Sequence, residues 1–211
     1  MPAIVKQTEW RAVEADIRLL CMHQGVEGAH VAGYTFRSGS DVARPSDVPP
    51  QFAAVLAGHI HRAQVLAHDH PCGPPPAIYP GSTERTLFAE RGDAKGFTEL
   101  SFASVAPDAP GDRAWRMRQA RLIALPARPM VDLELDATLP PSELRDRLVA
   151  DSANFDGDAV VRIRCRGDAR SSLGAALTAS FLRSVFPSTM NVQLGAEFLP
   201  ERRRRSRRAR S

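Results

Sequence analysis

The sequence predicts an α+β protein in two folded parts, followed by a short charged tail. Residues 1–111 contain short apolar runs that end at glycine or turn residues, a pattern typical of strands in a sheet. Residues 112–199 follow the order β-β-α-β-α-β, which indicates a small α+β domain. The turn-rich segment 105–112 separates these two patterns, and residues 200–211 have the composition of a disordered tail.

Strands dominate the first predicted part. Residues 52–57 form an apolar run that ends at Gly58, as expected of a central strand, and residues 17–22 are predicted as a buried strand that ends at His23. The segment 25–50 is rich in Gly, Ser and Pro and is predicted to be a loop. Further strands are expected at residues 65–67, 77–79 and 96–103.

Strands and helices alternate in the second predicted part. Residues 140–151 place Leu144 and Leu148 four positions apart after a Pro-Ser-Glu start, which is typical of a helix with one buried face. A second helix is expected at residues 173–186. Strands are predicted at residues 115–125, 129–135, 160–165 and 190–198.

The positive charge of the chain is concentrated at its end. The net charge is +4, but residues 201–211 hold seven Arg and one Glu, which leaves −2 for residues 1–200. The run Arg202, Arg203, Arg204 and Arg205 repels itself and is expected to be disordered. Such a run can neutralise DNA phosphates without reading the base sequence, so these four arginines are the predicted DNA-binding residues. A solvated tail without a specific partner is the open alternative.

Membrane and secreted proteins are not expected from this composition. The longest apolar runs are far shorter than a membrane span, and residues 1–10 carry Lys6 and Glu9 and lack an apolar run. The three cysteines are widely spaced and odd in number, which suits a reducing compartment. We therefore expect a cytoplasmic protein that does not enter the membrane.

The sharpest local feature is the sequence Gly58-His59-Ile60-His61 directly after an apolar strand. In extended backbone, residues i and i+2 point the same way, so both histidines are expected to face one site. Imidazole is a good ligand for manganese, iron or zinc, and Gly58 allows a sharp turn at the strand end, where α/β folds place ligands. Ordinary surface histidines remain the open alternative for this pair.

A second cluster follows at His68, His70 and Cys72. Its spacing matches no zinc-finger or zinc-ribbon pattern, and the surrounding prolines suggest an exposed hairpin tip. These residues are therefore predicted to lie on the surface.

Six short segments form an ordered series along the chain. They are residues 21–29 (CMHQGVEGA), 33–37 (GYTFR), 47–61 (DVPPQFAAVLAGHIH), 79–90 (YPGSTERTLFAE), 95–97 (KGF) and 125–130 (LPARPM). This series resembles the SbcD-type DNA-repair exonucleases, which belong to the calcineurin-like metallophosphoesterases. The resemblance covers about residues 16–199, and the order of the motifs is more specific than any one of them.

The resemblance implies a particular fold, metal site and set of partners. The fold would be the C-terminal part of a calcineurin-like β-sandwich/α-β domain followed by an α+β cap that binds DNA. His23 and His59 would bind one ion of a two-metal centre, normally Mn²⁺ or Mg²⁺, and His61 would bind the other. The expected partners are DNA and an SbcC-type ATPase subunit, with a homodimer in the complete protein.

Supporting roles are also implied. The turn Tyr79-Pro80-Gly81-Ser82 would pack behind the Gly-His-x-His loop. Glu84, Arg85 and Glu90 would be scaffold residues or lie at the edge of the cleft.

The sequence also departs from the family pattern. The family's other ligands come from Asp-x-His, Gly-Asp-x-x-Asp and Gly-Asn-His motifs, and none of these occurs in the sequence. Three imidazoles without a carboxylate make a poor site for two hard divalent ions. No catalytic residue is therefore predicted, and the chain is expected to lack the opening part of the catalytic domain and to be inactive alone.

Two other interpretations stay open. The chain could be a non-catalytic relative that binds DNA or joins a complex, or an unrelated α+β protein with a single transition-metal site.

Overall fold

The computed structural model divides into two compact units, residues Met1–Ala127 and Arg128–Ser211. It describes Val5, residues 7–67, 73–106 and 114–166, Leu173, and residues 176–195. The described residues mix helices and strands, as expected for an α+β protein. No helix in this part of the chain is long and apolar enough to cross a membrane.

The first unit is built mainly from strands. After a 3-10 helix at Trp10–Ala12, its described strands are β1 (Leu19–His23), β2 (Gly25–Val26), β3 (His30–Val31), β4 (Tyr34–Thr35), β5 (Val42–Ala43), β6 (Ala54–Gly58), β7 (Gln64–Leu66), β8 (Ala77–Tyr79), β9 (Gly96–Ser104) and β10 (Trp115–Ala124). Short 3-10 helices also occur at Pro45–Asp47 and Phe88–Glu90.

The main sheet of the first unit has the strand order β1-β6-β8-β7. Strand β6 is parallel to β1 on one side and to β8 on the other, whereas β7 is antiparallel to β8. Residues on both faces of β6 are buried, since Ala54 points to one face and Val55 and Ala57 to the other, and all three are at most 1% exposed. Val55 and Ala57 pack in a core with Phe52 and Tyr79. The apolar run that predicted a central strand is therefore explained by burial on both faces.

The segment predicted as a loop contains four short strands. Strand β2 pairs with β5 in parallel, and β3 pairs with β4 in an antiparallel hairpin that turns at Gly33, whose φ is +79°. Each of these strands is only two residues long, so none shows the alternating pattern that identifies a strand in sequence. The loop prediction for residues 25–50 was wrong for this reason.

Strands β9 and β10 form a long antiparallel ribbon. The pairing runs from Gly96 opposite Ala124 to Ser104 opposite Trp115, with an irregularity between Met117 and Gln119. Because of this pairing, β10 belongs to the first unit. The division between the units falls after Ala127, later than the division after residue 111 that the sequence predicts.

The second unit contains a parallel three-stranded sheet and two described helices. Its elements in chain order are β11 (Met130–Asp136), α1 (Pro141–Ser152), β12 (Val160–Arg166), α2 (Ala179–Val185) and β13 (Asn191–Leu194), with the strand order β11-β12-β13. Helix α1 buries Leu144 and Leu148, which are 0% exposed and pack with Val161 and Ile163 of the central strand. The predicted helix at residues 140–151 is confirmed, and α2 lies within the predicted helix at 173–186.

Candidate metal centre

His23 and His59 meet at one edge of the main sheet. Strands β1 and β6 are parallel, and their register pairs His23 with Gly58, so both strands end at the same edge of the sheet. The two imidazole rings have centroids 5.5 Å apart and are arranged edge to face. The carboxyl ends of parallel strands are where open α/β sheets bind their ligands.

The backbone at the end of β6 has two unusual features, at Gly58 and at His59. A Cβ atom on Gly58 would lie 2.7 Å from Nδ1 of His23, so a side chain here would displace that imidazole. His59 has a φ of +83°, in the left-handed region that residues other than glycine rarely adopt. Such strain costs about 1–3 kcal/mol and persists only where the surrounding structure enforces it.

Buried Tyr79 holds the chain that follows His23. Its hydroxyl accepts a hydrogen bond from the Val26 N–H at 2.8 Å and donates one to the Gln24 carbonyl oxygen at 2.8 Å. Burial raises the pKa of the Tyr79 hydroxyl, although the bond from Val26 opposes this. These bonds tie the β1–β2 connection to β8 and limit the movement of His23.

An open cleft lies beside the two histidines. It has a volume of about 540 Å³, and its lining includes His23, His59, Phe36, Arg37 and Asp41. The Phe36 ring centroid lies 6.4 Å from that of His59. The cleft thus combines two imidazoles with a guanidinium, which can bind phosphate, and one carboxylate.

His61 has a different environment. Its Nδ1 lies 2.9 Å from Oε1 of Glu90 and 3.1 Å from Oγ1 of Thr86, and it is not among the residues that line the cleft. The expectation that His59 and His61 face one site assumed extended backbone. That assumption does not hold at His59, because β6 ends at Gly58 and the φ of His59 is positive.

Glu90 and Lys95 form a buried ion pair behind His61. Nζ of Lys95 donates to Oε2 of Glu90 at 2.8 Å, and the Lys95 side chain is 0% exposed. Burial by itself would raise the pKa of Glu90. The hydrogen bonds from Lys95, from the Thr86 N–H and from His61, with the charge of Lys95, together lower that pKa to about 2. Glu90 is therefore ionised at neutral pH.

The turn expected behind the histidine loop is at Gly81. Its φ is +83°, and a Cβ atom there would lie 3.0 Å from the Ala63 nitrogen and 3.2 Å from the His61 carbonyl oxygen. Only glycine allows the turn to approach the backbone of residues 61–63 this closely.

The fit of these residues to a metal can be judged from their donor atoms. Across residues 7–67, 73–106, 114–166 and 176–195, no group of three or more His, Cys, Asp or Glu side chains is arranged to hold a metal ion. His23 and His59 supply two imidazole donors that suit zinc or iron, whereas manganese and magnesium also need carboxylates. The assignment of His23, His59 and His61 to a two-metal centre stays a prediction.

Several residues singled out in the sequence lie outside the described part of the chain. They are His68, His70, Cys72 and the arginines Arg202, Arg203, Arg204 and Arg205. Conversely, no motif predicted that Thr86 and Lys95 would contact His61. Both are distant from His61 along the chain, and only the tertiary fold brings them together.

Comparison of the sequence with models of known protein families and with curated proteins gives no match. The resemblance to SbcD-type nucleases therefore stays a prediction from the ordered motifs.

Proposed function

We propose that this chain supplies part of the active site of a metal-dependent phosphodiesterase of the SbcD type, which hydrolyses DNA. The observation that carries this proposal is the meeting of His23 and His59 at the carboxyl ends of two adjacent parallel strands. The missing side chain at Gly58 supports it, because a Cβ atom there would displace the His23 ring, and the positive φ of His59 supports it as a strained conformation that the surrounding structure must enforce. A surface histidine without a function would not be expected in the strained conformation of His59.

The residues around the cleft suit a phosphodiester substrate. His23 and His59 would hold one metal ion and His61 the other, and bound divalent ions would supply charge stabilisation and an activated water for phosphodiester hydrolysis. Arg37 lines the same cleft and can pair with a DNA phosphate. Gly58 and Tyr79 act indirectly by fixing the His23 ring and the chain after it.

A working two-metal centre needs more than these imidazoles. Manganese and magnesium prefer oxygen ligands, and a carboxylate that bridges two ions keeps them close together. We propose that such ligands come from a further segment with the family's acidic motifs, so that the 211 residues alone do not cleave DNA. An SbcC-type ATPase and a second copy of the complete protein are the proposed partners.

The test is Mn²⁺-dependent cleavage of linear double-stranded DNA. The chain alone should cleave no faster than its His59→Ala variant. Addition of an SbcD-type segment that carries the Asp-x-His, Gly-Asp-x-x-Asp and Gly-Asn-His motifs, fused or in trans, should produce cleavage. That cleavage should depend on His59 and should survive His30→Ala, because His30 lies in the exposed strand β3.

Two outcomes would contradict the proposal. Strong Mn²⁺-dependent cleavage by the chain alone would mean that other residues form the site. A complemented protein that binds DNA but does not cleave it would identify a non-catalytic relative.

A further inference from the structure

The Nδ1 atom of His61 faces two hydrogen-bond acceptors. Oε1 of Glu90 is 2.9 Å from Nδ1, and an ionised carboxylate has no hydrogen to donate. Oγ1 of Thr86 is 3.1 Å from Nδ1, and its hydroxyl donates to Oε1 of Glu90 at 3.2 Å. The Thr86 oxygen can then only accept from the ring. An unprotonated Nδ1 would place lone pair against lone pair, so Nδ1 must carry the hydrogen.

Glu90 is held in place by two further donors. Its Oε2 accepts from Lys95 Nζ at 2.8 Å and from the Thr86 N–H at 3.2 Å, while Oε1 faces His61. Lys95 also donates to Ser82 Oγ at 3.0 Å and to the His61 carbonyl oxygen at 3.2 Å. Lys95 therefore fixes both the backbone of His61 and the carboxylate that contacts its ring.

The His61 side chain is only partly buried. The His61 side chain is 43% exposed, whereas the side chains of Glu90 and Lys95 are 11% and 0% exposed. With the hydrogen on Nδ1, the lone pair of the neutral imidazole is on Nε2. Metal-binding histidines in proteins usually have this arrangement, in which the second ring nitrogen donates to a carboxylate that sets the tautomer.

We propose that Glu90 is a positioning residue that holds His61 as the Nδ1–H tautomer, so that Nε2 offers a lone pair to a divalent cation. The identity of the bound cation rests on the proposed function, but the tautomer does not. Lys95 acts one step further back, because it neutralises Glu90 and directs its carboxylate toward the ring.

The test is ¹⁵N NMR of the histidine side chains in the full chain at pH 8, without metal. His61 is assigned by the signals that disappear in a His61→Gln variant. In the wild type, Nδ1 of His61 should show the shift of a protonated ring nitrogen and Nε2 that of an unprotonated one. A wild type with the hydrogen on Nε2, or on both nitrogens, would overturn the proposal.

Variants separate positioning from general structural support. Glu90→Leu with Lys95→Met removes the carboxylate without leaving a buried ammonium, and His61 should then shift toward the Nε2–H form that predominates in free histidine. Thr86→Val should keep the Nδ1–H form, because the carboxylate remains. Glu99→Gln is the matched control, since Glu99 is an exposed carboxylate paired with Arg121. An unchanged tautomer in the folded double variant would also overturn the proposal.

Titration with Mn²⁺ then tests the proposed function separately. Paramagnetic broadening of His61, with Mg²⁺ as the diamagnetic control, is expected when the chain is complemented with the segment that carries the family's acidic motifs, and it should weaken in the double variant. If the complemented wild type shows the Nδ1–H tautomer without broadening of His61, the positioning role of Glu90 stands and the metal-dependent function fails.

Discussion

The buried ion pair between Glu90 and Lys95 should make the first unit sensitive to acid. The pKa of Glu90 is lowered from its ordinary 4.5 to about 2 in the folded protein. Because the folded state binds this proton less readily than the unfolded state, the stabilisation is fully present above about pH 4.5 and is lost as pH falls toward 2. The whole contribution is about 3 kcal/mol, and about 1.4 kcal/mol of it should be gone at about pH 3.5.

The perturbation that isolates this contribution is Glu90→Leu with Lys95→Met. Removing both charges matters, because Glu90→Gln alone would leave Lys95 buried without its counter-ion and cost about 3–5 kcal/mol. The other acidic residues titrate equally in both proteins. The loss of unfolding free energy between pH 7 and 3.5 should therefore be about 1.4 kcal/mol smaller in the double variant than in the wild type.

Urea unfolding followed by tryptophan fluorescence measures this difference. The two tryptophans of the chain, Trp10 and Trp115, both belong to the first unit, so the signal reports on the unit that contains the ion pair. Glu99→Gln is the control, because the Glu99 side chain is 56% exposed, and its pH dependence should match the wild type. Equal losses in the wild type and the double variant would refute the role assigned to Glu90.

Three further predictions concern the histidine loop and the tail. Gly58→Ala should lower the free energy of unfolding by about 1–3 kcal/mol through overpacking and should weaken Mn²⁺ binding measured by calorimetry. Gly92 has open space around it, so Gly92→Ala should change neither quantity. Because φ is positive at His59, the His59→Gly variant should be more stable in thermal unfolding than the His59→Ala variant by about 1 kcal/mol. His30 in strand β3 is the control, and there the Ala variant should be more stable than the Gly variant. Deletion of residues 201–211 should reduce the log–log salt slope of DNA binding by at most about six in filter-binding titrations, and overlapping curves would show an inert tail.

Much of the secondary structure could be predicted from local patterns. The apolar run before Gly58 became β6, and the helical spacing of Leu144 and Leu148 became α1. These elements depend on which residues are buried, and burial produces a pattern of apolar residues at nearby positions in the sequence. The short strands in residues 25–50 escaped prediction, because two residues are too few to show a period.

The candidate site could be predicted only in part. The sequence identified His23, His59 and His61 as residues of interest, and the structure brings His23 and His59 together through the register of two parallel strands. It gave no indication that His59 would have a positive φ, because local patterns of extended chain predict the opposite. The motifs likewise did not predict the hydrogen bond between His61 and Glu90.

The sequence by itself determined which segments are apolar, where the histidines stand and how charge is distributed along the chain. The tertiary structure alone decided which side chains meet, as in the bonds of Tyr79 with Gln24 and Val26 or the burial of Lys95 against Glu90. The physical reason is that burial and backbone preference act on residues close together in the chain and therefore produce a periodic pattern of apolar residues in the sequence. Hydrogen bonds and ion pairs between distant residues depend on strand order and register, which local periodicity does not specify.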